Sequence, residues 1–182
     1  MGQEKVVRVR ASSAGEKNLI QAIHLNAFGD SEGPIIGQLV SDLLSEAAVD
    51  LLSLVAEDES GICGSIIFTR VSIKGSEHPS EAFILSPLAV LQERHDQGIG
   101  SLLMAKGLEL LKARGVDLVF VLGDPGYYSR AGFESAEPLG LKAPHPVDYV
   151  DAWMVQELNT GALANTEGLV QCCSSLSSPE HW

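Results

Sequence analysis

Apolar residues recur along this chain with two periods, and the changes between them mark the elements. Val6-Arg-Val-Arg10 alternates and predicts a strand. From Ala14 to Phe28, residues Leu19, Ile20, Ile23, His24 and Ala27 share one face. Gly29-Asp30 follows, which predicts a helix and its stop. Ile35 to Ala48 repeats the spacing through Ile36, Leu39, Val40, Leu43 and Leu44, giving a second helix. Leu51–Glu57 and Ile62–Ile73 read as a hairpin turned at Asp58-Glu-Ser-Gly61. After a polar turn at Lys74–Ser80, the apolar run Ala82–Leu91 predicts a central strand that carries Pro87. A helix is expected over Gly98–Arg114, with Leu103, Met104, Gly107, Leu108 and Leu111 along its seam. The apolar strand Val116–Leu122 comes next, then a short helix with Tyr127 and Tyr128. Pro138–Pro146 is a loop and Asp148–Leu158 a late strand. The segment Asn159–Trp182 is open between an added edge strand and loosely held chain.

The order β, α, α, β, β, β, α, β, α, β, β implies one domain over residues 1–182. Its core is expected at about 5–158, with a C-terminal extension at 159–182. Two strands that are apolar throughout need cover on each side. The expected fold class is therefore α/β: a single mixed, mostly antiparallel sheet with helices on both faces. Its central strands would be a parallel pair, joined by a right-handed crossover through Gly98–Arg114.

A chain of 182 residues with 45% hydrophobic and 20% charged content can build such a core. No apolar run approaches the roughly 20 residues that span a bilayer. Met1-Gly-Gln-Glu-Lys-Val6 has charges where a secretion signal needs an apolar centre. A cytoplasmic location without membrane partners is the expectation. The net charge of −12, with no run of Lys or Arg, argues against nucleic acid and suits a neutral or cationic small substrate. Cys63, Cys172 and Cys173 are odd in number, and the five histidines are scattered singly, so unpaired thiols and no metal site are expected.

The chemistry concentrates in residues 82–133. His95-Asp-Gln-Gly-Ile-Gly-Ser101 opens the Gly98–Arg114 helix, and the first turn of a helix presents unpaired N–H groups to anions. Glycines let a phosphate approach that backbone closely. The third position after Gly100 is Leu103, which excludes a dinucleotide fingerprint, and no Gly-Lys-Ser/Thr follows for a nucleotide P-loop. Pro87 cannot donate to a ladder. It predicts a bulge that splays the central pair and frees backbone groups of Leu88, Ala89 and Val90 for an amide-bearing arm such as pantetheine.

These residues resemble the GCN5-related N-acetyltransferase superfamily, and within it the YhbS-like branch. The family's pyrophosphate motif, Gln/Arg-x-x-Gly-x-Gly/Ala, is matched by His95-Asp-Gln-Gly-Ile-Gly100 at both glycines. Leu85-Ser-Pro-Leu-Ala-Val90 is similar to the branch's preceding strand. Leu122-Gly-Asp-Pro-Gly-Tyr-Tyr-Ser-Arg-Ala-Gly-Phe133 resembles its second signature, and Gly161-Ala-Leu163 a segment after its last strand. The resemblance implies acetyl-CoA as donor, held by Leu88, Ala89, Val90, His95, Asp96, Gln97, Gly98, Ile99, Gly100, Ser101 and Tyr128. It implies a small-molecule or peptide amine as acceptor and leaves a homodimer open. Tyr128 would protonate the departing thiolate, while Tyr127 would belong to the core. The general base stays open among Glu81, Asp124, His24 and water. His95 and Asp96 depart from the motif. An acid facing phosphate would weaken binding, and Arg94, Lys106 and Arg130 are the cations placed to offset it. These departures leave a second reading, an acyl-CoA-binding or sensing module without turnover.

Overall fold

In the computed structural model of the chain, which describes residues 6–78 and 80–182, nine strands form a mixed sheet. Expectations resting on Met1–Lys5 and Pro79 lie outside the described residues. The strands are β1 (Arg8–Ala11), β2 (Leu51–Asp58), β3 (Gly61–Lys74), β4 (Ala82–Val90), β5 (Leu118–Leu122), β6 (Glu134–Ser135), β7 (Leu141–Lys142), β8 (Trp153–Glu157) and β9 (Gly168–Gln171). The helices are α1 (Lys17–Leu43), α2 (Ile99–Ala113) and α3 (Pro125–Tyr128). The chain divides into two compact units, Met1–Ile67 with Pro87–Gly107, and Phe68–Ser86 with Leu108–Trp182.

In the first unit β1 lies antiparallel on β2, from Arg8 opposite Glu57 to Ala11 opposite Leu54. Arg10 bridges Glu57 at 2.8 Å and Glu16 at 2.6 Å, tying the strand edge to the start of the helical segment. The two helices expected at Ala14–Phe28 and Ile35–Ala48 are one run, α1, broken at Gly29 (φ 71°, ψ −170°). Only glycine adopts that conformation readily, so the break sits where the sequence placed a stop. The second half begins at Asp30, not Ile35, because its first turn, Asp30-Ser-Glu-Gly-Pro34, is polar and carries no apolar period. Gln21 crosses from the first half to donate to the Gly37 carbonyl of the second at 3.0 Å. The α1 side chain His24 is fully buried, and its Nδ1–H donates to the Ile20 carbonyl at 2.8 Å. Burial pushes the ring's pKa down, opposed by the Ile20 and Pro87 carbonyls that favour the protonated form. The hairpin forms as expected, with the Asp58 carboxylate accepting from Ser60 N–H at 2.7 Å in its turn. Gly64 of β3 lies under Ile99 and Leu103, which seats the first turns of α2 on that strand.

In the second unit β4 runs parallel to β5, from Ala82 opposite Leu118 to Leu85 opposite Val121. The parallel register ends at Leu85 opposite Val121, one residue before β5 itself ends at Leu122. β8 lies antiparallel on the other edge of β5, from Leu118 opposite Glu157 to Leu122 opposite Trp153. The late strand starts at Trp153, five residues after the expected Asp148, because Val150–Ala152 forms a 3-10 turn. The two-residue strands β6 and β7 are too short to show a period. Trp153 stacks on Phe120 at 5.1 Å and donates to the Leu141 carbonyl at 3.0 Å. Trp182 meets Trp153 edge-on at 5.5 Å, and β9 pairs antiparallel with β3 and parallel with β7. The segment Asn159–Trp182 therefore adds a strand and docks its last residue.

Two outcomes are expected for α1. Gly29→Ala meets no atom within 4 Å of the new Cβ, so its cost is backbone strain alone, about 1–3 kcal/mol. Urea denaturation reads this as a lower midpoint at unchanged slope, and an unchanged midpoint would contradict the kink. Below pH 6.5, the ordinary value for histidine, unfolded His24 binds protons that the folded ring resists. Stability should therefore fall as the pH drops from 7.5 to 5.5, and His24→Gln should flatten that slope; an equal slope in both proteins would refute the linkage.

Candidate active site

Within the first unit, the segment from Val90 to Ser101 forms a tightly held loop leading into α2. The amide of Leu102 donates to the Gly98 carbonyl at 3.0 Å, which starts the helical ladder. The amides of Gly98, Ile99, Gly100 and Ser101 lie ahead of it without intrahelical acceptors, at the positive end of a fifteen-residue helix. Gly98 has φ 76°, and Asp96 has φ 60°, the one positive φ outside glycine among the described residues. Asn and Asp tolerate that region better than other side chains. Ile99 is buried against Gly64, so only its backbone is available to a ligand, whereas His95, Asp96, Gln97, Gly98 and Ser101 are exposed.

Four side-chain contacts fix the loop. Asn26 of α1 accepts from Gln92 N–H at 2.9 Å. The His95 Nε2–H donates to the Val90 carbonyl at 2.8 Å, turning the ring back onto the end of β4. Arg94 pairs with Asp58 at 2.7 Å and donates from Nε to Gln97 Oε1 at 3.0 Å. Two sequence expectations change in consequence. The Val90 carbonyl is taken by His95, so of the three backbone groups expected at Leu88, Ala89 and Val90, this one is already bonded. Arg94 is committed to Asp58 and is not a loose cation offsetting Asp96. Asn26 and Asp58 were missed by sequence reasoning because they meet the loop from 66 and 36 positions away, a separation with no periodic signature.

Within the second unit, Asp124 caps α3 by accepting from Gly126 N–H at 2.9 Å. Pro125 stands at the first position of that helix, where its missing N–H costs nothing. The cap sets Tyr127 and Tyr128 on successive positions. Tyr128 is half-buried, packed edge-on against Phe133 at 5.7 Å and Tyr127 at 5.0 Å. Burial raises its pKa well above the ordinary phenol value, with neighbouring Tyr127 adding to the rise, so it holds its proton at neutral pH. Tyr127 is not in the core: it is half-buried, with the Arg130 guanidinium 5.9 Å over its ring. Arg130 also donates to the Gly126 carbonyl at 2.9 Å.

The candidates for a base differ in their surroundings. Glu81 is exposed and ion-paired with Arg70, at the far end of β4 from Pro87. Asp124 is the cap just described. His24 is the one whose ring lies at Pro87, and its Nε2 is buried without a hydrogen-bond partner.

The family model for the acetyltransferase (GNAT) domain matches residues 50–135. The chain is 38% identical over 157 residues to the uncharacterised N-acetyltransferase YjhQ of Escherichia coli, covering 84% of each. It is 33% identical over 134 residues to YhbS of the same organism, covering 74% of this chain and 78% of YhbS. The crystal structure of Escherichia coli YhbS in complex with CoA superposes with a TM-score of 0.87 at 28% identity, over 98% of this chain and 96% of that one. A GNAT family acetyltransferase from Brucella melitensis in complex with acetyl-CoA gives 0.75 at 26% identity, over 95% and 99%. With its parallel β4–β5 pair, its glycine turn at the head of α2 and this extent of identity, the chain belongs to the GCN5-related N-acetyltransferase family, in the branch of YhbS and YjhQ.

Proposed function

We propose that the protein transfers an acetyl group from acetyl-CoA to a primary amine, by direct attack in a ternary complex. The observation that carries this reading is the row of amides from Gln97 to Ser101 at the head of α2, in a chain akin to one solved with CoA. Those amides take the pyrophosphate, and the segment Leu88–Ala89 takes the pantetheine arm. The amine lone pair attacks the thioester carbonyl carbon and a C–N bond forms. The C–S bond then breaks, and the departing thiolate takes the Tyr128 proton, which water restores. A phenol that stays protonated at neutral pH is in the form this step needs. The attacking nitrogen gives its proton to water, since the Glu81 and Asp124 carboxylates are already engaged and the His24 ring is fully buried. Bound geometry supplies much of the rate, and a backbone N–H near Leu88 stabilises the oxyanion. The net charge of −12 favours a cationic acceptor, a small molecule or a peptide, in the cytoplasm.

One observation favours a second reading, in which the chain binds acyl-CoA without turnover: Asp96, exposed and at positive φ, carries an acid in the loop that heads α2. Thiol release from acetyl-CoA across a broad amine panel separates the two, because a sensing module releases none.

Gly100→Val should weaken acetyl-CoA binding by about an order of magnitude or more, since a side chain there obstructs the approach of phosphate to the amides. Calorimetry on the folded variant measures this, and unchanged affinity would move the phosphate elsewhere. Tyr128→Phe keeps the ring and its packing, so acetyl-CoA affinity should hold while kcat falls roughly 10²–10⁴-fold with a chemistry-limited acceptor. Tyr127→Phe is the control and should be nearly silent. Wild-type kcat in Tyr128→Phe would remove this tyrosine from the mechanism.

A further inference from the structure

The cation nearest in sequence to the glycine turn faces a carboxylate. Arg94 Nη1 lies 2.7 Å from Asp58 Oδ2, and the Asp58 side chain is 1% exposed and the Arg94 side chain 13%. The other Asp58 oxygen accepts from Ser60 N–H, so this carboxylate is built into the β2–β3 turn of the first unit. From that anchor Arg94 extends its Nε–H to Gln97 Oε1, while Gln97 Nε2 reaches back toward the Glu93 carbonyl at 3.5 Å. The relay Asp58–Arg94–Gln97 therefore spans the residues that carry Asp96 in its left-handed conformation and lead into Gly98. The guanidinium makes the two contacts from different nitrogens, Nη1 and Nε, held in a rigid planar fork that an ammonium lacks. With a carboxylate partner so close and so buried, its charge is neutralised within the protein.

We propose that Arg94 and Asp58 are positioning residues for the pyrophosphate of acetyl-CoA: the pair acts as a strut that holds the Gln97–Ser101 amides in their anion-binding arrangement, and Arg94 is not itself a phosphate ligand. The loop needs such a strut because an aspartate with positive φ and a like charge toward the ligand both oppose the bound conformation. Backbone amides held in place beforehand lose less freedom on binding, and small misplacements of them are costly.

The inference rests on the acetyl-CoA reading, and the experiment separates the two. CoA and acetyl-CoA binding are measured by calorimetry, and steady-state kinetics are run with acetyl-CoA and with acetyl-pantetheine, a donor that lacks the pyrophosphate. Asp58→Asn keeps the shape and the acceptor for Ser60 but removes the charge that holds Arg94. It should raise the acetyl-CoA Kd and KM about tenfold with kcat retained, and leave the acetyl-pantetheine KM unchanged. Arg94→Lys keeps the charge and loses the relay, so it should weaken CoA to a similar degree; a phosphate ligand replaced by lysine would keep most of its affinity. Gln97→Ala, at an exposed side chain, removes only the far end of the relay and should weaken CoA by a few-fold, and it provides the reading if either buried variant fails to fold. Unchanged or tighter CoA binding in these variants would overturn the strut. An equal loss with both donors would assign the pair to general stability instead. Failure of the wild-type protein to bind CoA would overturn the acetyl-CoA reading itself.

Discussion

Pro87 has a backbone nitrogen without a hydrogen, within the largely apolar strand Ala82–Val90. A strand can keep hydrogen bonds on both edges only while every residue can donate. In β4 the parallel ladder with β5 holds through Leu85 and Val121 and stops there. The other edge stays anchored, since Leu91 N–H donates to the Cys63 carbonyl at 2.9 Å. The burial of His24 at Pro87 adds a contact from α1 at this strand.

Strain and electrostatics in the loop oppose one another. The head of α2 concentrates partial positive charge, which favours an anion. Asp96 sets a full negative charge and a positive φ next to it. What resists collapse of that arrangement is a set of bonds that do not belong to the loop itself: Asn26 from α1, Asp58 from the hairpin, and the Val90 carbonyl from the strand end. An anion site made of backbone amides is specified by where those amides are held, more than by which side chains it carries. The His95 ring is used for such holding: it closes the strand end on the Val90 carbonyl.

The tyrosine turn follows a different logic. Its geometry is local, written in Asp124-Pro-Gly126: a cap, a fixed φ and a small residue start a helix of one turn. Local rules of this kind survive from sequence to structure because their partners are two or three residues away. The same holds for the hairpin turn at Asp58 and for the break at Gly29. The start of the second half of α1 shifted because its first turn has no apolar residue to mark it, and Tyr127 left the expected core because a one-turn helix has no buried face to offer.

The sequence by itself therefore determined the order of the main elements, the central parallel pair, the glycine turn at the head of a helix, and the capped tyrosine turn. Each of these is set by periodicity or by a residue's own backbone restriction, both readable within a few positions. The tertiary structure decided the docking of Asn159–Trp182 through β9 and the Trp153–Trp182 contact, the burial of His24, and the pairing of Arg94 with Asp58. These join residues tens of positions apart, and their energies depend on burial and dielectric, which no single position in a chain can announce. Asp58 reads in the sequence as a turn residue, and only its removal from water beside a guanidinium makes it the partner of Arg94.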